Sequence, residues 1–185
     1  MAPRINATVL AILTIAACHK ASKELPARAV PHVTGAIKID GEWDEPDWSK
    51  TSLRGQFLGS DGQLSRPTSE VRFLRDDTTL YVGCYAADDD IRSTDAFDLK
   101  LGTLALHIDA TGNSAPLLAG MKVAVDRDGT LDDPRNFDEE WLLEIAIPIA
   151  SLPDHGPANV TASRCDTPKH GKQLCSAWSG RLVLP

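Results

Sequence analysis

Val71-Arg72-Phe73-Leu74-Arg75-Asp76-Asp77-Thr78-Thr79-Leu80-Tyr81-Val82-Gly83-Cys84-Tyr85-Ala86 is two apolar runs set around a polar triplet. Residues 71–74 read as a strand. Asp76-Asp77-Thr78 reads as a turn, and residues 80–86 read as the return strand, so the stretch predicts a β-hairpin. Leu80, Val82, Cys84 and Ala86 recur with the two-residue period of one strand face. Cys84 in that row reads as a small buried hydrophobe, not as a reactive thiol.

Working outward, the same grammar repeats. Residues 37–39 alternate before Asp40-Gly41 turns the chain. Residues 42–49 hold Trp43 and Trp48, five apart, and predict one or two helical turns. Leu104, Leu106 and Ile108 alternate with Ala105, His107 and Asp109, the pattern of a half-buried strand. Residues 121–125 predict another strand, ended by Asp126-Arg127-Asp128-Gly129. Residues 141–147 form the strongest late strand, stopped by Pro148, and 160–164 and 181–184 complete the set. About eight strands with short helical turns and no long helix predict an all-β sandwich or jelly roll.

Ahead of this domain the chain changes character. Arg4 precedes an apolar stretch over residues 7–17 that ends Ile15-Ala16-Ala17-Cys18. A basic start, a short apolar segment and small residues at its end predict a secretory signal over 1–17. The four residues 15–18 resemble the bacterial lipobox, which implies that Cys18 carries lipid; an ordinary signal cleaved near Ala17 is the alternative. The stretch is shorter than the roughly 20 apolar residues of a membrane span. Residues 18–30 are polar and read as a tether, and 31–185 as the domain. An exported, lipid-anchored envelope protein is expected. His19, not Asp, follows the cysteine, which points to the outer membrane in a Gram-negative host.

The formal net charge is −7. A diffuse acidic surface excludes a nucleic-acid partner, which needs clustered Lys and Arg, and excludes a polybasic membrane patch. Membrane contact is then through the N-terminal lipid alone. Cys165 and Cys175 lie close in sequence beside Pro168 and Gly171; in an exported chain this pair reads as a disulfide, with two reduced thiols as the alternative. No CxxC motif marks a zinc site.

Four segments in order resemble the family 9 carbohydrate-binding modules and their DOMON-like relatives. They are Ile37-Lys38-Ile39-Asp40-Gly41-Glu42-Trp43-Asp44-Glu45-Pro46-Asp47-Trp48, the 68–83 hairpin, Trp141-Leu142-Leu143-Glu144-Ile145-Ala146-Ile147-Pro148 with Ser151-Leu152, and Arg164-Cys165 with Ala177-Trp178-Ser179. The resemblance covers about residues 36–185. It implies a jelly-roll sandwich that binds sugar without cutting it. Sugar-binding members carry an acidic residue beside a valine on the strand matched here to 104–109, where Ala105 stands. They also clamp sugar between two tryptophans, whereas the preceding stretch 93–100, read as a loop, offers only Phe97.

Three residues are candidates for ligand contact. Trp178 offers an aromatic face to a pyranose, or packs as core. Arg164 offers paired donors to vicinal hydroxyls or a carboxylate, or forms a structural ion pair. His107 sits opposite the apolar side of its strand, on what reads as the open face. Asp126, Asp128 and Asp132 around Gly129 make calcium a candidate, although the run lacks a full calcium-loop spacing; no other cofactor is expected. No catalytic constellation is present, and paired carboxylates in so acidic a chain carry little information. The leading expectation is a non-catalytic glycan-binding module in an envelope lipoprotein. The alternatives are an interaction domain that has lost its sugar site and, from the DOMON-like relatives, a heme module using Met121 and a histidine, without a CxxCH motif.

Overall fold

The computed structural model describes residues 26–166, 168–169 and 171–185. The expected signal, Cys18 and the tether as far as residue 25 lie outside the described residues. In chain order the elements are β1 (Arg28–Ala29), the short helix α1 (Pro46–Lys50), β2 (Arg54–Gln56), β3 (Leu58–Gly59), β4 (Ser69–Arg75), β5 (Thr79–Ala87), β6 (Ala96–Leu101), β7 (Leu104–Asp109), β8 (Ser114–Ala115), β9 (Lys122–Asp128), β10 (Glu140–Pro148), β11 (Gly156–Asp166) and β12 (Leu174–Leu184). Eight of these strands have six residues or more. The all-β sandwich expected from the alternation is the architecture observed.

The strands form two sheets. One runs β1-β12-β11-β6-β7-β8, with β3 also on β12; the other runs β2-β4-β5-β10-β9. The β4–β5 hairpin pairs Phe73 with Val82 and Arg75 with Leu80. Its turn is held by Asp76, whose Oδ1 accepts from the Thr78 and Thr79 backbone N–H groups while Oδ2 accepts from Tyr81 Oη. Burial opposes ionisation of Asp76, yet these bonds hold its carboxyl down at about 2.

Inward residues of both sheets, among them Phe57, Phe73, Val82, Phe97, Trp141 and Leu182, meet in one core. Each fully buried side chain of this size contributes roughly 1.5–3 kcal/mol. Cys84 lies in that core as a free, buried thiol, and burial pushes its pKa up. A second, smaller core covers the outside of the five-stranded sheet. There Trp48, Leu74, Tyr81 and Ala146 pack with Ile37, Ile39 and Trp43. Trp43 stacks on Trp48 with ring centres 5.8 Å apart. A Cβ on Gly83 would come within 2.8 Å of the Trp43 ring, so the close approach requires glycine there. Glu144, fully buried, fastens this roof: it accepts from Asp40 N, Gly41 N and Trp48 Nε1. Burial pushes its carboxyl up to about 7 against those three donors.

Candidate functional site

Among the described residues, the outside of the seven-stranded sheet has no such roof. Along β6, Phe97, Leu99 and Leu101 face the core while Asp98 and Lys100 are exposed; along β7, Ala105 and His107 are exposed. The pairing register sets Asp98 opposite His107, with Ala115 beyond it on β8 and Ser163 on the other side on β11. Lys100 stands between Ala105 and Thr161 in the next row. His107 Nδ1 and Asp98 Oδ1 are 2.8 Å apart. These residues line a shallow trough of about 430 Å³. Its floor is small, because Ala105, Ala115 and Ser163 leave room above the sheet. Its polar groups are a carboxylate that accepts, an ammonium that donates, and an imidazole and hydroxyls that do both.

The other two candidate residues lie elsewhere, and none of the three meets another. Arg164 projects inward from β11 and is 2% exposed. Its Nη2 donates to Asp88 Oδ2 at 2.5 Å and to Asp166 Oδ1 at 3.0 Å, and its Nη1 donates to the Ala87 carbonyl at 3.1 Å. Burial drives the neighbouring Asp95 up to about 7 and Asp166 to about 6. Trp178 belongs to strand β12, paired with buried Ala162, and not to a loop. Its indole lies 5.4 Å from the Phe73 ring, packed against the core. A Cβ on Gly55 would reach within 2.0 Å of Trp178 Nε1, and one on Gly180 within 2.5 Å of the ring, so these two glycines form the slot that holds it. Cys165 and Cys175 are paired across β11 and β12 and joined by a disulfide.

No protein-family model matches the sequence, and no curated protein matches it. Solved structures do share the architecture. A family 9 carbohydrate-binding module from Caldicellulosiruptor kristjanssonii in complex with glucose superposes with a TM-score of 0.57 at 13% identity, over 86% of this chain and 96% of that one. A structure of such a module from the same organism in complex with cellotriose gives 0.56 at 13% identity, over 85% and 93%. The fold is that of a family 9 carbohydrate-binding module.

Set on that family 9 fold, several sequence expectations need correction. The stretch 93–100 is not a loop with an available Phe97. Residues from Ala96 onward form β6, and Phe97 is fully buried against Trp141 and Phe57. Asp98 is exposed on the same face as Ala105, one strand over. Its signal was available: residues 96–101 alternate with period two, and Asp98 and Lys100 fall on the polar phase.

The calcium candidates are not gathered into a loop. Asp126 and Asp128 are part of β9, and Asp132 accepts from the Ser93 N–H. Among the described residues, the acids close enough to share an ion are Asp88, Asp95 and Asp166, and there the guanidinium of Arg164 already supplies the positive charge. Met121 is buried in the core. His32, His107 and His155 bond to Asp77, Asp98 and the Pro185 carbonyl.

Proposed function

We propose that this domain binds carbohydrate without cleaving it, in the trough over Asp98 and His107. The observation that carries the reading is the facing Asp98–His107 pair on the outer sheet face that the described residues leave open, flanked by Lys100, Thr161 and Ser163. Such groups match a sugar, whose hydroxyls each donate and accept. The structural neighbours held glucose and cellotriose, which supports the same ligand class. Among the described residues Asp98 is the one carboxylate lining the trough. Glycoside hydrolysis ordinarily uses two across the bond, so this geometry favours holding over cutting. Among the described residues no aromatic ring lines the trough, and affinity is therefore expected nearer millimolar, about −4 kcal/mol, than micromolar.

A titration with glucose and cellotriose, followed by NMR, tests this. Amides of β6 and β7 shift saturably, and Asp98→Ala or His107→Ala weakens binding at least about five-fold, a loss of roughly 1 kcal/mol. Retention of full affinity by both variants overturns the placement. No binding of any saccharide by the folded protein moves the reading to a protein-interaction domain. The proposal includes an envelope location through lipid on Cys18. Cys18→Ser then releases the protein from the detergent phase, and unchanged partitioning refutes the anchor.

A further inference from the structure

Among the described residues the two sheets end in β1, β8, β2 and β9. The first three are short, with two, two and three residues, whereas β9 has seven. The register of β10 fixes which backbone groups of β9 are free. Asp88 N donates to Glu139 O and Ile149 N donates to Thr78 O, so the odd-numbered residues of β10 turn their backbone groups to β5. The even-numbered residues bond β9, through its Lys122, Ala124 and Asp126. Val123, Val125 and Arg127 therefore turn N–H and C=O to the outer edge, where no described residue pairs with them. A strand of seven residues offers such groups over roughly 24 Å, a template for another strand.

The side chains of β9 match the same strand run backwards. A two-fold axis at Val125 sets Lys122 opposite Asp128, Val123 opposite Arg127 and Ala124 opposite Asp126. Unlike charges then meet at both ends, and no like charges face each other. The residues with free backbone groups, Val123, Val125 and Arg127, meet only one another in this register, so each outward N–H finds a C=O. Lys122 and Asp128 are exposed, and among the described residues neither side chain has an ion-pair partner. Val123 and Val125 are only partly buried against the core. Arg127 is fixed by Nη1 on the Ala110 carbonyl at 2.6 Å, which holds that end of the edge in place.

We propose that the β9 edge is a self-association surface, on which a second copy of this chain adds its own β9 antiparallel about a two-fold axis at Val125. The two five-stranded sheets become one. A closed pair of this kind uses both β9 edges and leaves neither free to propagate. The partner is a second copy because the charge order of β9 complements its own reverse. Neither Lys122 nor Asp128 lines the trough over Asp98, so the inference is independent of the sugar-binding reading.

Sedimentation of the full chain over a range of concentrations tests this, with hydrogen exchange read at single amides. A monomer–dimer equilibrium is expected. Lys122→Asp sets two carboxylates against each other, Asp128→Lys sets two ammonium groups, and each change acts twice across the axis. Either variant weakens the dimer at least about ten-fold. Combining Lys122→Asp with Asp128→Lys restores it. Amides of Val123, Val125 and Arg127 exchange more slowly as concentration rises, while those of Ala124 and Asp126 are slow throughout because they bond β10. A chain that stays monomeric at every concentration, single variants that associate as before, or a folded double variant that stays monomeric overturns the inference. So does a dimer whose Val125 amide still exchanges freely.

Discussion

On the five-stranded sheet the outward residues Leu74, Tyr81, Ala146 and Glu144 lie under a roof made by the segment that carries Ile37, Trp43 and Trp48. On the seven-stranded sheet the outward residues Asp98, Lys100 and His107 are exposed. Both faces come from the same two-residue alternation. They differ in what the outward phase contains. Large apolar side chains there demand cover, and the acid buried beneath that cover, Glu144, has its carboxylate engaged by three donors. Charged, hydroxyl and small side chains demand none, and their hydrogen-bonding capacity stays available to a ligand. A binding site on such a sandwich belongs where the outward phase is polar and the floor is small.

The comparison is broken most severely by Glu144→Ala. It orphans Asp40 N, Gly41 N and Trp48 Nε1 under the roof, and a loss of roughly 3–4 kcal/mol is expected in denaturant unfolding. A loss below about 1 kcal/mol would mean that the roof is not held through this carboxylate. Trp178→Ala comes next. It empties the slot between Gly55 and Gly180 and is expected to cost about 3 kcal/mol. Saccharide affinity stays the same, because the half-buried indole packs against the core and does not line the trough over Asp98. Weakened sugar binding in a folded Trp178→Ala protein would contradict that assignment.

A pH series sharpens the contrast. Glu144 and Asp95 are pushed up to about 7 and Asp166 to about 6, burial being the main cause in each. The folded state therefore holds protons that the unfolded chain releases above about 4. That contribution is complete below the unfolded values and is lost as pH rises through 6 and 7. Stability at pH 5 should exceed that at pH 8 by about 2 kcal/mol or more. Glu144→Gln flattens the slope, and a melting temperature that rises from pH 5 to pH 8 would refute the assignment. The smallest effect on stability is on the open face. Asp98→Ala should change unfolding by no more than about 0.5 kcal/mol, as for other exposed positions, while it weakens sugar binding.

The hairpin over 71–86 and the strand through Trp141 were legible because their alternation is local, and the turn at Asp76 needs only its neighbours. The Cys165–Cys175 pair was legible from its short spacing. Asp98 was legible in principle, but the stretch 93–100 reads as a loop after the acidic triplet 88–90, which hides the start of β6. What could not be read was long-range. Glu144 meets Trp48 and Gly41 across about a hundred residues, and Arg164 meets Asp88 across 76. Nothing in the segments around 43 or 164 encodes which distant carboxylate awaits them. The direction taken by Trp178 likewise depends on Gly55, a residue on the other sheet.

The seating of β1 has a mechanical consequence. It pairs in parallel with β12 through Arg28 and Ala29 alone, at the edge of the sheet away from β7 and β8. The Asp98–His107 ladder lies three to four strand spacings away, up to roughly 19 Å. A pull applied ahead of Arg28 thus grips the domain by one rim while any load in the trough sits near the other. The two-residue pairing of β1 is the first to peel. The next resistance is the clip behind it, where Pro31 O and Val33 N bond to the backbone of Arg75 beside buried Val30. Force along the leading chain falls first on the β1 rim of one sheet and then, through Arg75, on β4 of the other, so it enters both sheets away from the Asp98–His107 rows.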